Sequence, residues 1–291
     1  MARIAIIGGG SMGEAILAGL LRSGRQVKDL VVAEKAPARA KHLAGSYGVQ
    51  VTDKVSDAAG HAAYVIVAVK PTDVASAVAA ISEAAAVAED NGTEQVYISV
   101  AAGVSTAFYE SSLPAGAPVI RAMPNAPALV GAGVTALAPG RFATPEQLEE
   151  AATLFRAVGT VETVSEAQMD AVTALSGSGP AYFFLVVEAL VDAGVASGLS
   201  RAVATDLAVQ TMAGSAAMLL ERRESDRSAA DGAQAHAVDT SAAQLRATVT
   251  SPGGTTAAGL RELEKGGLRA AVAAAVDAAK TRSEQLGITP E

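Results

Sequence analysis

The 291-residue chain contains no cysteine. Without thiols there is no disulfide, no thiolate nucleophile and no Cys-ligated metal, and the composition suits a reducing cytoplasm. Histidine is almost missing as well. His42, His61 and His236 lie far apart in sequence, so neither a His-based metal site nor a histidine triad is expected. Positive charge is in deficit, with 22 Lys and Arg against 30 Asp and Glu. That balance argues against a nucleic-acid partner, whose phosphates need clustered cations. Long uninterrupted apolar runs are lacking too. The most apolar stretch, Ala181–Val195, is broken by Glu188 and Asp192, whereas a membrane span takes ~20 mostly apolar residues. The N-terminus, MARIAIIGGG, has no signal-peptide pattern and goes straight into a strand. Aromatics make up 3% of the chain, and much of its apolar half is alanine, which favours closely packed helices. These absences lead us to expect a cytoplasmic protein with neither membrane nor nucleic acid as partner.

What is present falls into two patterns. Up to about residue 163, short apolar runs alternate with helical periodicity: Arg3–Ile7, Leu30–Ala33, Tyr64–Val69, Val96–Val100, Val119–Ala122 and Val134–Leu137 read as strands. Helices are expected after the first strand, around Ala38–Tyr47, over Val74–Ala88 and from Pro145, with Thr144 as its N-cap. Near-continuous apolar strands separated by helices imply a parallel sheet covered on both faces. From about Ser165 the strand signal stops. Helices are expected over Ala181–Val195, Arg201–Arg223, Ser241–Val249 and Thr256–Lys265, with a last one carrying Leu268, Val272 and Val276; Ser225–Val238 reads as an exposed loop. The expected division is an α/β domain, residues 1–163, and an all-helical domain, residues 164–291. The Ala181 helix is apolar around most of its circumference and needs cover on nearly all sides, which points to a partner subunit.

Three glycines stand before the first helix. Gly8-x-Gly10-x-x-Gly13 follows a strand directly and opens a helix, the context in which this spacing marks a Rossmann-type dinucleotide site. Gly8 permits the tight turn, Gly10 lets a pyrophosphate approach the backbone, and Gly13 lets helix and strand pack closely. Free amides at the helix start then face the negative charge. About twenty residues on, Glu34 ends the second strand, where a carboxylate accepts from the ribose 2′-OH of NAD. Lys35 and Arg39, close by, suit the 2′-phosphate of NADP instead, so NADPH and NADH both stay open. Lys70, in Ala68-Val69-Lys70-Pro71 at the end of the strongest strand, is a further candidate for the cofactor's border.

A second set of bare turns lies downstream. Arg121–Gly133 ends a strand with a proline-punctuated turn that holds Asn125, a candidate cofactor contact. Ser176-Gly177-Ser178-Gly179 precedes Pro180, a residue suited to a first helical position. Ser251-Pro252-Gly253-Gly254-Thr255-Thr256 repeats the theme: glycines expose amides, Thr255 or Thr256 can cap the helix behind them, and such an end attracts an anion. A small carboxylate substrate fits that end. Two rival readings are a hydroxyacid dehydrogenase and a non-catalytic nucleotide sensor. Oxidising an alcohol generally takes a base, often a lysine of the helical domain, and no lysine lies between Lys70 and Lys265. A sensor has no need of the second glycine turn.

Taken together, IGGGSMGEAIL, AVKP, ISVAAGVS, RAMPNAPALV, AVTALSGSGPAYFF and VTSPGGTTAAGLRELEKGG resemble the pyrroline-5-carboxylate reductases across nearly the whole chain. Glu221–Val238 is longer than usual there, and Ser241–Ala243 lacks the proline common before Leu245-Arg246. The resemblance implies a Rossmann domain, a helical domain interlocking into dimers that often form decamers, and reduction of (S)-1-pyrroline-5-carboxylate to L-proline with NADPH or NADH. By motif matching it implies cofactor contacts at Ile7, Gly8, Gly9, Gly10, Ser11, Met12 and Gly13, at Ala68, Val69, Lys70 and Pro71, and at Val100, Ala101 and Ala102. Glu34, Lys35 and Asn125 join that set. Ser251, Thr255 and Thr256 are then the substrate contacts, with Gly253, Gly254, Ser176 and Ser178 beside them. Ser251 and Thr256 are the candidate catalytic residues, and no metal is expected.

Overall fold

The computed structural model describes residues 2–90, 94–229 and 240–287. The elements run β1 (Ile4–Ile7), α1 (Ser11–Arg22), β2 (Leu30–Ala33), α2 (Pro37–Tyr47), β3 (Gln50–Thr52), α3 (Val55–Ala59), β4 (Tyr64–Val67) and α4 (Val74–Asp90). They continue with β5 (Val96–Ser99), α5 (Thr106–Ser112), β6 (Val119–Met123), β7 (Gly133–Pro139), α6 (Pro145–Phe155) and β8 (Gly159–Thr163). After β8 every longer element is a helix: α7 (Met169–Val172), a π-helical turn over Thr173–Gly177, α8 (Gly179–Ala196), α9 (Arg201–Ala229), α10 (Ser241–Thr248), α11 (Thr255–Lys265) and α12 (Leu268–Leu286).

The strands form one sheet in the order β3-β2-β1-β4-β5-β6-β7-β8. Alternate residues of a strand point to opposite faces, and both faces are dry. Ile4, Ile6, Val32, Ile66, Ile98 and Ile120 belong to one buried cluster, while Ala5, Ile7, Val31, Val65, Val67 and Val119 belong to the other. Burying a side chain of this size contributes ~1.5–3 kcal/mol, which is why these strands carry no polar alternation. Thr144 caps α6 as its sequence suggests, in a reciprocal pair with Gln147, and Ser200 accepts from the Val203 amide at the start of α9.

The sheet departs from an all-parallel one. β7 runs antiparallel to β6. The link between Met123 and Gly133 holds only a 3₁₀ turn, Ala126–Val130, too short for the crossover that a parallel neighbour needs. β3, β8, α3 and α5 are also additional to the strands and helices read from the sequence. β3 has three residues, none of them deeply buried, and so leaves no apolar run to read.

The chain forms two compact units, Met1–Pro180 with Val276–Glu291, and Ala181–Ala275. This division differs from one at residue 163. Met169 of α7 is buried with Ala136 and Ala138 of β7, which ties the segment after β8 to the sheet. The end of α12 is held there too, by a 2.6 Å bond from Ser283 Oγ to Asp170 Oδ1.

The helical unit has a thin core. Only Val191, Ala204, Ala208 and Ser241 are buried among its described residues. Phe183, Phe184, Leu185 and Leu190 on α8 are each more than half exposed. α9 runs to Ala229, so Ser225–Ala229 is helix rather than the expected loop. Arg222 pairs with Asp226 one turn on, at 3.1 Å, and supports this extension. The rest of that expected loop, with His236, lies outside the described residues. By length and composition alone, Glu166–Ala196 and Arg201–Asp226 could cross a membrane, although Glu188 and Asp192 interrupt the apolar surface of the first.

Candidate functional site

The strand order reverses at β1. The chain leaves it toward β2 and β3, then returns to its other side with β4. Crevices at the carboxyl ends of strands around such a switch point hold ligands. Here the crevice is a cleft of about 320 Å³, lined by Ile7, Gly8 and Gly10 after β1, Ala33, Glu34 and Lys35 after β2, and Ala68, Val69 and Lys70 after β4.

The glycines of the first loop do different work. Gly8 has φ +103°, and a Cβ there would lie 2.7 Å from the Ala68 carbonyl oxygen. Its amide donates to Ala33 O at 2.8 Å, so the turn is also pinned to β2. Gly13 is pressed against the turn, and a Cβ on it would lie 2.0 Å from Gly8 O. Gly10 faces open space, with nothing within 4 Å of the position a Cβ would take. It is the N-cap of α1, and no side chain caps that helix. The first amides of α1 are therefore offered to an anion at the one glycine where a phosphate has room to approach. The residues present fit a dinucleotide.

Glu34 does not simply point outward. Its Oε2 accepts from Gly9 N at 2.9 Å and its Oε1 from Ala36 N at 2.8 Å. Arg39 is likewise engaged: its Nε donates to Gly9 O at 2.6 Å, and its Nη2 pairs with Glu14 of α1. Glu14 also accepts from Tyr47 Oη at 2.9 Å and bonds His42 Nε2 at 3.0 Å. Partial burial works against ionisation of Glu14, but hydrogen bonds from Arg39, His42 and Tyr47 outweigh it and hold the carboxyl below the usual carboxylate range. Lys35 is exposed.

Ser11 is exposed at the start of α1, and Met12 packs against the core. Pro71 opens a 3₁₀ turn, Pro71–Asp73, beside the cleft. Val100 continues β5 through a bond from its amide to Val67 O at 3.0 Å; Ala101 is buried and Ala102 exposed. This loop rests on a buried polar chain. Ser99 Oγ lies 2.7 Å from Tyr109 Oη and accepts from Ala101 N at 3.3 Å. Burial pushes the Tyr109 phenol up to about 12, so it stays neutral there. Close by, Arg121 of β6 pairs with Glu166 at 3.3 Å, and Glu166 also accepts from Thr106 N at 2.7 Å.

Asn125 is held by the protein at both ends of its amide. Its Oδ1 accepts from Val134 N at 3.0 Å and its Nδ2 donates to Ser176 O at 3.2 Å. Both ends of the amide are engaged in tying the β6–β7 turn to the π-helical turn. Ser176 Oγ donates to Val172 O at 3.0 Å, and Ser178 N donates to Thr173 O at 2.9 Å. α8 begins at Gly179, so Pro180 is its second residue.

Five residues that sequence reasoning missed also line the cleft: Asp53, Val55, Asp73, Ser76 and Ala77. Asp53 and Val55 follow β3, the strand with no apolar signature. Asp73 was the more legible of the two acids, two residues past Pro71 in a motif already singled out. Among the described residues no three His, Asp or Glu side chains are gathered to hold a metal.

In the helical unit, the turn before α11 repeats the logic of the glycine loop. Gly253 has φ +71° with open space where a Cβ would stand. The N-cap of α11 is Gly254, and no side chain caps the helix. Neither Thr255 nor Thr256 serves as the cap; they are the first two helical residues, exposed, as is Ser251. The amides at this helix start are left without a side-chain partner.

Comparison with known proteins matches both units. Residues 166–286 match the family model of pyrroline-5-carboxylate reductase dimerisation, and residues 3–103 match that of NADP oxidoreductase, coenzyme F420-dependent. The pyrroline-5-carboxylate reductase of Mycobacterium tuberculosis is 68% identical over 292 residues, covering 100% of this chain and 99% of that one. The chain belongs to the pyrroline-5-carboxylate reductase family. The Escherichia coli pyrroline-5-carboxylate reductase is 35% identical, with 98% of each chain covered. Among solved structures, the pyrroline-5-carboxylate reductase of Coxiella burnetii superposes with a TM-score of 0.86 at 35% identity, covering 99% of both chains. The pyrroline carboxylate reductase of Plasmodium falciparum, solved with NADP bound, does so with a TM-score of 0.80 at 27% identity, covering 99% of this chain and 98% of that one.

Proposed function

We propose that this member of the pyrroline-5-carboxylate reductase family reduces (S)-1-pyrroline-5-carboxylate to L-proline with NADPH or NADH, the last step of proline biosynthesis. The observation that carries the reading is shared by the two units. α1 and α11 each start on a glycine with extended backbone and no side-chain cap, in a chain whose full-length relatives bear that activity's name. One helix start suits the pyrophosphate of a dinucleotide, the other the carboxylate of a small substrate.

The bound nicotinamide supplies a hydride to the imine carbon. The protein's part is to bind and orient. Gly10 and Ser11 present amides to the pyrophosphate, while Ala68–Pro71 and Val100–Ala102 border the rest of the cofactor. Ser251 and the Gly253–Thr256 amides hold the substrate carboxylate, and the Thr256 hydroxyl hydrogen-bonds the ring nitrogen. Ser176 and Ser178 lie beside the substrate. Water can protonate the imine nitrogen, which makes its carbon strongly electrophilic, so positioning two rings supplies most of the acceleration. No histidine or lysine base is required, in keeping with the absence of lysine between Lys70 and Lys265.

A second copy of the chain covers the exposed apolar faces of α8 and α9. A helical unit with only four buried residues among those described has too little interior to stand alone. Such dimers assemble further, to a decamer, and the enzyme works in the cytoplasm.

The test is oxidation of NADPH and NADH by the purified chain with pyrroline-5-carboxylate, set against unrelated imines and keto acids. Turnover confined to pyrroline-5-carboxylate is expected; equal turnover of keto acids, or none at all, refutes the activity. Thr256→Ala should lower kcat while nucleotide affinity holds. Full activity in that variant removes Thr256 from the mechanism.

A further inference from the structure

The end of β2 carries a choice that the family leaves open. We infer that this chain prefers the dinucleotide without a 2′-phosphate, and that Glu34 makes the selection. The inference rests on the cleft being the dinucleotide site.

Three observations support it. First, Glu34 is fixed in place. Its two oxygens accept from Gly9 N and Ala36 N at 2.9 and 2.8 Å, and a Cβ on Gly9 would come within 3.1 Å of Oε2. To swing away from a phosphate, the carboxylate must abandon two main-chain donors, one of them on a buried glycine. Leaving such donors unpaired is costly. Second, the guanidinium nearest this end of β2 is already held by the protein on two of its nitrogens. Arg39 donates to Gly9 O at 2.6 Å and pairs with Glu14. Third, the ionisable residues lining the cleft are Glu34, Asp53 and Asp73 against Lys35 and Lys70. Lys35 is exposed, and an exposed ammonium contributes little against a fixed carboxylate. A ribose 2′-OH donates to Glu34, whereas a 2′-phosphate removes that donor and brings like charge to the same place. The outcome is a ratio of affinities, with both nucleotides still bound.

The experiment reads binding to the protein without substrate, by nucleotide fluorescence. Wild-type chain should hold NADH at least ~tenfold more tightly than NADPH, and Glu34→Gln should shrink that ratio by about tenfold, mainly through tighter NADPH. Glu34→Ala serves as a second variant, with thermal melting of each to confirm folding. Arg39→Ala should leave the ratio within ~twofold, because the guanidinium serves Glu14 and Gly9 rather than the ligand. Competition by adenosine 2′,5′-bisphosphate against 5′-AMP places the discrimination at the adenosine end. Equal or tighter NADPH binding by the wild type overturns the inference. So does a ratio unmoved by both Glu34 variants, or a selective loss of NADPH in Arg39→Ala. If neither nucleotide binds, the dinucleotide reading falls as well. If both bind and only the ratio differs, this inference alone falls.

Discussion

Two glycines in one loop should fail in opposite ways. Gly13 and Gly10 are three residues apart, yet a methyl group at each meets different surroundings. At Gly13 the new Cβ lies 2.0 Å from Gly8 O, 3.2 Å from Gly8 C and 3.4 Å from Ile6 Cγ2. Cβ atoms essentially never sit closer than 3.0 Å to another atom, so α1 and the turn must separate by about an ångström. Both sides of that contact are backbone and cannot rotate out of the way. Overpacking of this kind costs ~1–3 kcal/mol, and more where nothing yields. For a unit of this size each kcal/mol lowers Tm by ~2–4 °C, so Gly13→Ala should melt ~2–12 °C early and bind nucleotide poorly. At Gly10 nothing lies within 4 Å of the methyl, and its φ of −65° with ψ of −174° is extended backbone open to alanine. Losing a glycine N-cap to alanine costs under ~1 kcal/mol. Gly10→Ala should therefore melt near the wild type while its methyl occupies the approach of the pyrophosphate, weakening nucleotide binding by ~tenfold or more. Differential scanning calorimetry and nucleotide titration on the same preparations separate the two. A Gly13→Ala protein with wild-type Tm refutes the packing argument. A Gly10→Ala protein with wild-type affinity refutes the assignment of the open face to phosphate.

Asn125→Ala removes the partners of Val134 N and Ser176 O; it should destabilise the sheet unit by ~2–4 kcal/mol in urea unfolding, and an unchanged midpoint would show the clamp to be idle. Phe184→Asp places a charge on the exposed apolar face of α8 and should sediment as a monomer; an oligomer of wild-type mass would mean that another surface holds the copies together. Glu14 adds an acid-side signature. Its carboxyl is lowered in the fold, so its contribution is complete above the ordinary carboxylate pKa and is lost as the pH falls through the lowered folded value. Wild type should melt above Glu14→Gln at neutral pH, and the gap should close in acid. A gap independent of pH would assign the difference to packing instead.

Local chemistry was legible from one end of the chain to the other. The Gly8–Gly13 turn, the caps at Thr144 and Ser200, and the buried strands each declare themselves within a few residues, because turn geometry, capping and periodicity are short-range. The family motifs were legible for the same reason, being turns whose glycines and prolines stand in the order in which the chain uses them. Partnership was not. The donor and acceptor of Asn125 were visible, but its protein partners, Val134 and Ser176, were not; Thr255 and Thr256 looked like caps until Gly254 took that place.

Sequence by itself determined the alternation of strands and helices, the two glycine turns that open helices and the chemistry they can offer to anions. Tertiary structure alone decided that β7 turns back against β6, that Asp53 joins the cleft, and that Glu34 and Arg39 are engaged by Gly9 and Glu14. The physical reason is that such contacts depend on strand order and register, which bring together groups about 25 residues or more apart in the chain. No short-range pattern records a partner at that distance.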